Sequence, residues 1–213
     1  MDLADRRETY EEAGVDVADV NSDPIEQFER WYREAEAADL WEPNAMVVSA
    51  VDADGWPTSR FVLMKGFDHA GFVFYTNLES DKAAALDGSR RAALTFGWLP
   101  LRRQVRVLGT VDRVSDDEAD DYFAQRPRGS QVGAWASPQS QVIADRAELD
   151  RRFAAFEAGV GDGLIERPSH WGGYRVSPTR IEFWQGRPNR FHDRLRYELA
   201  DDGSSWSLCR LAP

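Results

Sequence analysis

Between residues 45 and 114, apolar and polar residues alternate in short runs, AMVVSAVD, SRFVLMKGFD, GFVFYTNL, AALTFGWL and RQVRVLGTVDRV, broken by turn signals such as Asp54-Gly55 and His69-Ala70-Gly71. A period of two sends successive side chains to opposite faces, so each run suits a strand with one face in a core. Strands this short and closely spaced predict antiparallel pairing in a small barrel. Helical signals flank them. Asp23-Pro24-Ile25-Glu26 supplies an N-cap, a first-turn proline and an acidic third residue ahead of Phe28, Trp31, Tyr32 and Ala35, which predicts a helix to about Leu40. A short helix is expected from Asp81 to Leu86, and another opens at Ser115, where Asp116, Asp117 and Glu118 suit the positive end of the helix dipole. A longer amphipathic helix is expected over 138–157, then a loop over 159–168 and strands near GGYRVSP, RIEFWQG, RLRYELA and SWSLCRL. The first 20 residues are polar and aperiodic and read as a mobile arm, leaving 21–213 as one domain.

A chain of 213 residues, 42% hydrophobic and 12% aromatic, can bury a core of this kind. It contains no run of about 18 apolar residues, and its N-terminus is acidic where a secretory signal would be basic then apolar. A cytoplasmic protein without a membrane partner is expected. The single cysteine, Cys209, excludes an internal disulfide and a cysteine-based zinc site and reads as a buried or incidental thiol, so any redox chemistry must come from a cofactor. No metal site is expected. A net charge of -11 opposes a nucleic-acid partner, because phosphate contact needs a field of the opposite sign.

Only two of the 26 basic residues are lysines, Lys65 and Lys82. In a chain that otherwise uses arginine, each marks a place where a compact ammonium suits better than a planar fork. Three clusters carry chemistry. In the first, Arg60, Val62 and Met64 alternate with Phe61, Leu63 and Lys65, so cations occupy both faces of one strand; nearby, Tyr75-Thr76-Asn77 and Ser80-Asp81-Lys82 bring hydroxyls, helix N–H groups and an ammonium toward a possible phosphate. A plain N-cap at Ser80 with a solvated Lys82 is the structural alternative. The second, YFAQRPRGSQVGAWASPQS, has no acidic residue, and Tyr122, Arg126 and Ser130 recur at intervals of four; beyond Pro127 a loop could fold them around one anion, or form an ordinary basic loop. In the third, strand alternation would place Arg190, His192 and Arg194 on one face, costly without an anion there.

The segments RFVLMK, FYTNLESDKA, RQVRV, YFAQRPRGSQVGAWASPQS, HWGGYRVSP, IEFWQGRPNRFHDR and CRLAP resemble, in order and spacing, those of pyridoxine/pyridoxamine 5'-phosphate oxidases, and Arg7-Glu8-Thr9-Tyr10 resembles that family's N-terminal arm. The resemblance implies a dimeric, mainly β FMN-binding split barrel with flanking helices. It implies oxidation of pyridoxamine or pyridoxine 5'-phosphate by dioxygen to pyridoxal 5'-phosphate, with release of hydrogen peroxide and, from the amine, ammonia. Arg60, Phe61, Val62, Leu63, Lys65, Tyr75, Thr76, Lys82, Gln104, Gln139, Ser140, Trp184 and Arg194 would then hold FMN. Arg7, Tyr10, Lys65, Tyr122, Arg126 and Ser130 would bind substrate, and Arg190 and His192 would face its reacting carbon. It further implies that Arg60 and Lys82 come from one chain, with Gln139, Ser140, Trp184 and Arg194 reaching over from a partner, so that sites lie at the homodimer interface. Three positions depart from the family pattern: Asp81 replaces an arginine beside the FMN phosphate, and Leu99 and Arg102 replace a histidine and a glutamate. Rival readings are a split-barrel flavin or deazaflavin reductase acting on another substrate, and a non-catalytic carrier of flavin or pyridoxal phosphate.

Overall fold

The computed structural model describes residues 14–213; Arg7 and Tyr10 lie outside the described residues. Asp23 caps the first helix, α1 (Pro24–Ala37), by accepting from the Ile25 and Glu26 N–H groups at 2.7 and 3.3 Å. The alternating runs form β1 (Ala45–Val51), β2 (Pro57–Leu63), β3 (Gly66–Asp68), β4 (Gly71–Asn77), β5 (Arg91–Trp98) and β6 (Arg103–Arg113), with α2 (Asp81–Ser89) between β4 and β5. Then come α3 (Asp116–Gln125), α4 (Arg128–Ala136), α5 (Arg146–Val160), β7 (Trp171–Gln185), β8 (Asp193–Leu199) and β9 (Trp206–Leu211).

All strand pairs are antiparallel, in the order β2-β1-β5-β6-β7-β4-β3, with β8 and β9 branching from β7. The branch is where the barrel splits. Residues 171–176 of β7 pair with β4 and residues 180–185 with β8, and the register against β6 shifts between Leu108 and Gly109, opposite Pro178. A bulge there accommodates the missing proline N–H. At Gly109 a Cβ would lie 2.2 Å from the Ser177 carbonyl oxygen, so only glycine permits this approach.

Helix α1 plugs the concave side of the sheet. Phe28 sits 4.9 Å from the rings of both Phe72 and Phe96, and Trp31 meets Phe183 edge-on at 5.2 Å. Both are fully buried, and truncating such an aromatic to alanine costs about 3–5 kcal/mol. Phe123, Val132, Ile165 and Trp171 form a second, smaller core under α3 and α4.

Several elements differ from the sequence expectation. SRFVLMKGFD is two strands, because the Met64 N–H bonds to Asn44 while the Lys65 N–H bonds to Val73; the chain changes neighbours between those residues. The expected loop after Pro127 is α4, the longer helix begins only at Arg146, and the strands around Pro178 are one continuous β7. Val15, expected in a mobile arm, is buried; its N–H donates to Asp193 at 3.1 Å and its carbonyl accepts from Arg210. Cys209 is exposed on β9, the incidental of the two placements expected for it. Among the described residues no helix is long and apolar enough to cross a membrane.

Candidate active site

The register assigns each site residue a face. Cross-strand partners project to the same side, so Gln104, Trp184 and Arg194, partnered in sequence across β6, β7 and β8, form one row on the sheet face opposite α1. The next row runs Phe61, Val47, Thr95, Arg106, Glu182 and Arg196. Phe61 is 78% exposed and Val62 half-buried, in keeping with the alternation expected of this strand. Leu63 is likewise half-buried.

At the end of β4, Lys82 Nζ donates to Thr76 Oγ1 at 2.8 Å, to Ser80 Oγ at 3.1 Å and to Gln139 Oε1. Burial and the nearby Arg60 charge lower this ammonium to about 8, against a smaller raising effect of Asp81. The plain N-cap reading of Ser80 fails. Its hydroxyl donates to the Asn77 carbonyl at 2.8 Å and caps no N–H of α2, while Lys82 is half-buried among acceptors. Ser140, at φ 70°, accepts from the Asp81 N–H at 3.2 Å. Gln139 and Ser140 thus join Lys82 within one chain, which corrects the expectation that they reach over from a partner. A helix N-terminus beside an ammonium is a fitting cradle for a phosphate.

A second cluster, of aromatic rings around one guanidinium, lies beside it. Tyr75 stacks on Tyr122 with ring centroids 4.1 Å apart and on Trp171 at 5.4 Å. Burial, then the charges of Glu118 and Tyr122, push the Tyr75 phenol up to about 12, so it stays protonated. Gly173 makes room for this ring, since a Cβ there would come within 2.7 Å of it. Arg126 ends α3 with its guanidinium 4.7 Å above the Trp171 ring; burial lowers its pKa, and its Nη1 is buried without a hydrogen-bond partner. A buried donor of this kind is costly until an anion accepts from it. Lys65 and Ser130 have exposed side chains and are placed through their backbones, by N–H bonds to Val73 and Pro127. Trp171, which supports both tyrosines and Arg126, went unassigned in the sequence; the aromatic residue ahead of Gly172-Gly173 was its only signal.

The strand expected through Arg190 and His192 is absent. Pro188–Arg190 form a single turn with Asn189 and Arg190 at φ 56° and 63°, and β8 starts only at Asp193. His192 reaches the Trp184 row from this turn, its ring 4.6 Å from the indole. Its Nδ1 accepts from the Arg187 N–H at 3.1 Å, so the neutral ring carries its proton on Nε2. Burial, and then the Arg190 charge, lower its pKa, which favours that neutral form.

Comparison with known proteins agrees with this geometry. The sequence profile for pyridoxamine 5'-phosphate oxidase matches residues 33–158, and that for the pyridoxine 5'-phosphate oxidase C-terminal dimerisation region matches residues 171–213. The pyridoxine/pyridoxamine 5'-phosphate oxidase of Salinibacter ruber is 54% identical over 99% of each chain, and that of Rubrobacter xylanophilus 53% identical over 100% of this chain and 97% of its own. Among solved structures, PhzG from Burkholderia lata, in complex with tetrahydrophenazine-1-carboxylic acid, covers 94% of this chain and 100% of its own with a TM-score of 0.85 and 31% identity. An FMN-binding protein from Nostoc punctiforme shares the fold, with a TM-score of 0.72 at 15% identity over 91% of this chain and 100% of its own. Strand order, profile matches and full-length identity converge, and the chain belongs to the pyridoxine/pyridoxamine 5'-phosphate oxidase family.

Proposed function

We propose that this protein is a cytoplasmic, FMN-dependent oxidase that converts pyridoxamine or pyridoxine 5'-phosphate to pyridoxal 5'-phosphate at the expense of dioxygen. The observation that carries the reading is a pair of separate anion-seeking groups, Lys82 at the start of α2 and Arg126 with its partnerless Nη1. One phosphate belongs to the cofactor and one to the substrate. Arg60, Lys82 and Ser140, with Tyr75, Thr76 and Gln139 lining the pocket, would hold the FMN phosphate and ribityl chain. Gln104, Trp184 and Arg194 would contact the flavin ring, with Phe61, Val62 and Leu63 beside it. Bound FMN supplies the two-electron acceptor. The chain's own part is orientation and electrostatics. Arg126 and Tyr122, with Lys65 and Ser130, would clamp the substrate phosphate, while Arg190 and the neutral His192 face the reacting carbon.

The row bearing Gln104, Trp184 and Arg194 lies on a sheet face with exposed apolar residues at its edge, Trp41, Phe61 and Leu99. With the match to a dimerisation region, this supports a two-fold dimer in which the row of one protomer completes the Lys82 pocket of its partner. Mixing the yellow protein with pyridoxamine 5'-phosphate without oxygen should bleach the flavin, and air should restore it with peroxide. A carrier would stay yellow. A reductase of another substrate would bleach only with that substrate.

A further inference from the structure

We propose that Glu182 is a positioning residue that fixes Arg194 in the orientation from which it meets the flavin; the inference rests on the reading of Arg194 as a flavin contact. Glu182 stands on β7 two residues before Trp184, with only 9% of its side chain exposed. Arg194 Nε donates to Oε1 at 3.0 Å and Nη2 to Oε2 at 3.2 Å, a two-pronged pairing, and Nη1 donates to the Ala212 carbonyl at 3.1 Å. All three guanidinium nitrogens are therefore engaged, which sets both the plane and the reach of the side chain. Arg106, opposite Glu182 on β6, adds a longer contact at 3.9 Å.

Such a carboxylate is poorly explained by stability alone. Burying an ion pair costs desolvation that its Coulomb energy seldom exceeds, and this pair lies outside the apolar core. Glu198, on the neighbouring strand β8, shows the difference. It is 36% exposed and bridges Arg180 Nη2 at 2.7 Å and Arg196 Nε at 3.5 Å through one oxygen. It orients neither arginine in two directions. Of these two acids only Glu182 makes a two-pronged pairing, and its arginine shares a row with Gln104 and Trp184. Arginine otherwise loses rotamer freedom when it is immobilised, and a guanidinium held in place beforehand spares the ligand that cost.

The test is a double-mutant cycle read by FMN affinity, measured by titrating flavin fluorescence into the stripped full-length protein. Glu182→Gln keeps the size of the side chain but loses its charge and one acceptor, and should weaken FMN binding by about tenfold, the effect of one charge-assisted bond. Arg194→Gln should weaken binding at least as much, and the double variant should match Arg194→Gln alone, because the two residues act as one unit. Glu198→Gln should leave affinity unchanged. If the losses at 182 and 194 simply add, or if Glu182→Gln binds FMN as the parent does while Arg194→Gln does not, the positioning role is wrong and the flavin contact stands. If Arg194→Gln itself binds as the parent does, the reading beneath the inference fails and takes it along. Glu182→Asp keeps the charge but shortens the reach, and closes the same cycle should the glutamine variant not fold; parental affinity in that variant would overturn the proposal.

Discussion

Lys82 and Arg194 are the two cations on which the proposed FMN site rests, and they sit in opposite surroundings. Lys82 meets neutral oxygens of Thr76, Ser80 and Gln139, beside a second cation, Arg60. Arg194 meets a buried carboxylate and a carbonyl, and the hydrogen bond to Glu182 raises its pKa. The first region carries an excess of positive charge, two cations against Asp81, and gains from an anion. The second is already neutralised and offers shape and fixed donors. A flavin mononucleotide has both kinds of end, a charged phosphate and a nearly neutral ring, so the difference indicates which end lies where.

The largest effect should come where the ring end meets the reaction. Replacing Arg190 by alanine should lower kcat by about 100-fold or more, as loss of one fixed electrostatic donor does, with flavin content kept. Stopped-flow bleaching by pyridoxamine 5'-phosphate measures this, and a parental rate would remove Arg190 from the reacting end. At the substrate phosphate, Arg126→Ala should raise KM about ten- to hundredfold while FMN stays bound. An unchanged KM would leave the partnerless Nη1 of Arg126 without a function.

A smaller effect should appear in assembly. If the Lys82 pocket of one protomer is completed by the Arg194 row of the other, FMN binds only the dimer and stabilises it by mass action. Stripping the flavin should then move the dissociation midpoint to about tenfold higher protein concentration. Sedimentation across a dilution series reads this directly. A monomer that retains one FMN per chain would show that both regions belong to a single-chain site.

The two regions also differ in how far the sequence discloses them. Alternation over 45–114 reveals the strands because each has one face in the core, and it places Phe61 and Leu63 opposite Arg60 and Val62 correctly. It does not reveal which strand is the neighbour, and so misses the change of partner at Met64–Lys65. Proline and glycine misled twice. Pro127 and Gly129 read as loop but begin α4, and Pro178 read as a break but sits in a bulge of one long strand. At 188–190 the opposite error occurs, since alternation suggested a strand where Asn189 and Arg190 take left-handed backbone. The contacts of Lys82 with Gln139 and of the Asp81 N–H with Ser140 span more than fifty residues; the family resemblance gathered these residues into one site but assigned them to different protomers. Glu182 and Trp171 were missed because each acts through another side chain.

The mildest test of the comparison is pH. Lys82 is lowered to about 8, chiefly by burial and then by Arg60, whereas the arginine at 194 stays charged across any practical range. A phosphate monoester is dianionic above about pH 6, so at about pH 7 both partners at the Lys82 end carry most of their charge and FMN affinity should be nearly flat. Above pH 8 the ammonium of the stripped protein loses its proton. Binding must then restore it, and affinity should fall by at most about tenfold per pH unit, the limit for one linked proton. The phosphate raises the Lys82 pKa in the complex, so the fall levels off only at higher pH. Lys82→Arg should abolish the slope, because a guanidinium remains charged, while Glu182→Gln should shift the whole curve without changing its bend. Fluorescence titrations of stripped protein between pH 6.5 and 9.5 distinguish these shapes. A bend near pH 8 that survives Lys82→Arg would mean that another group governs the phosphate end.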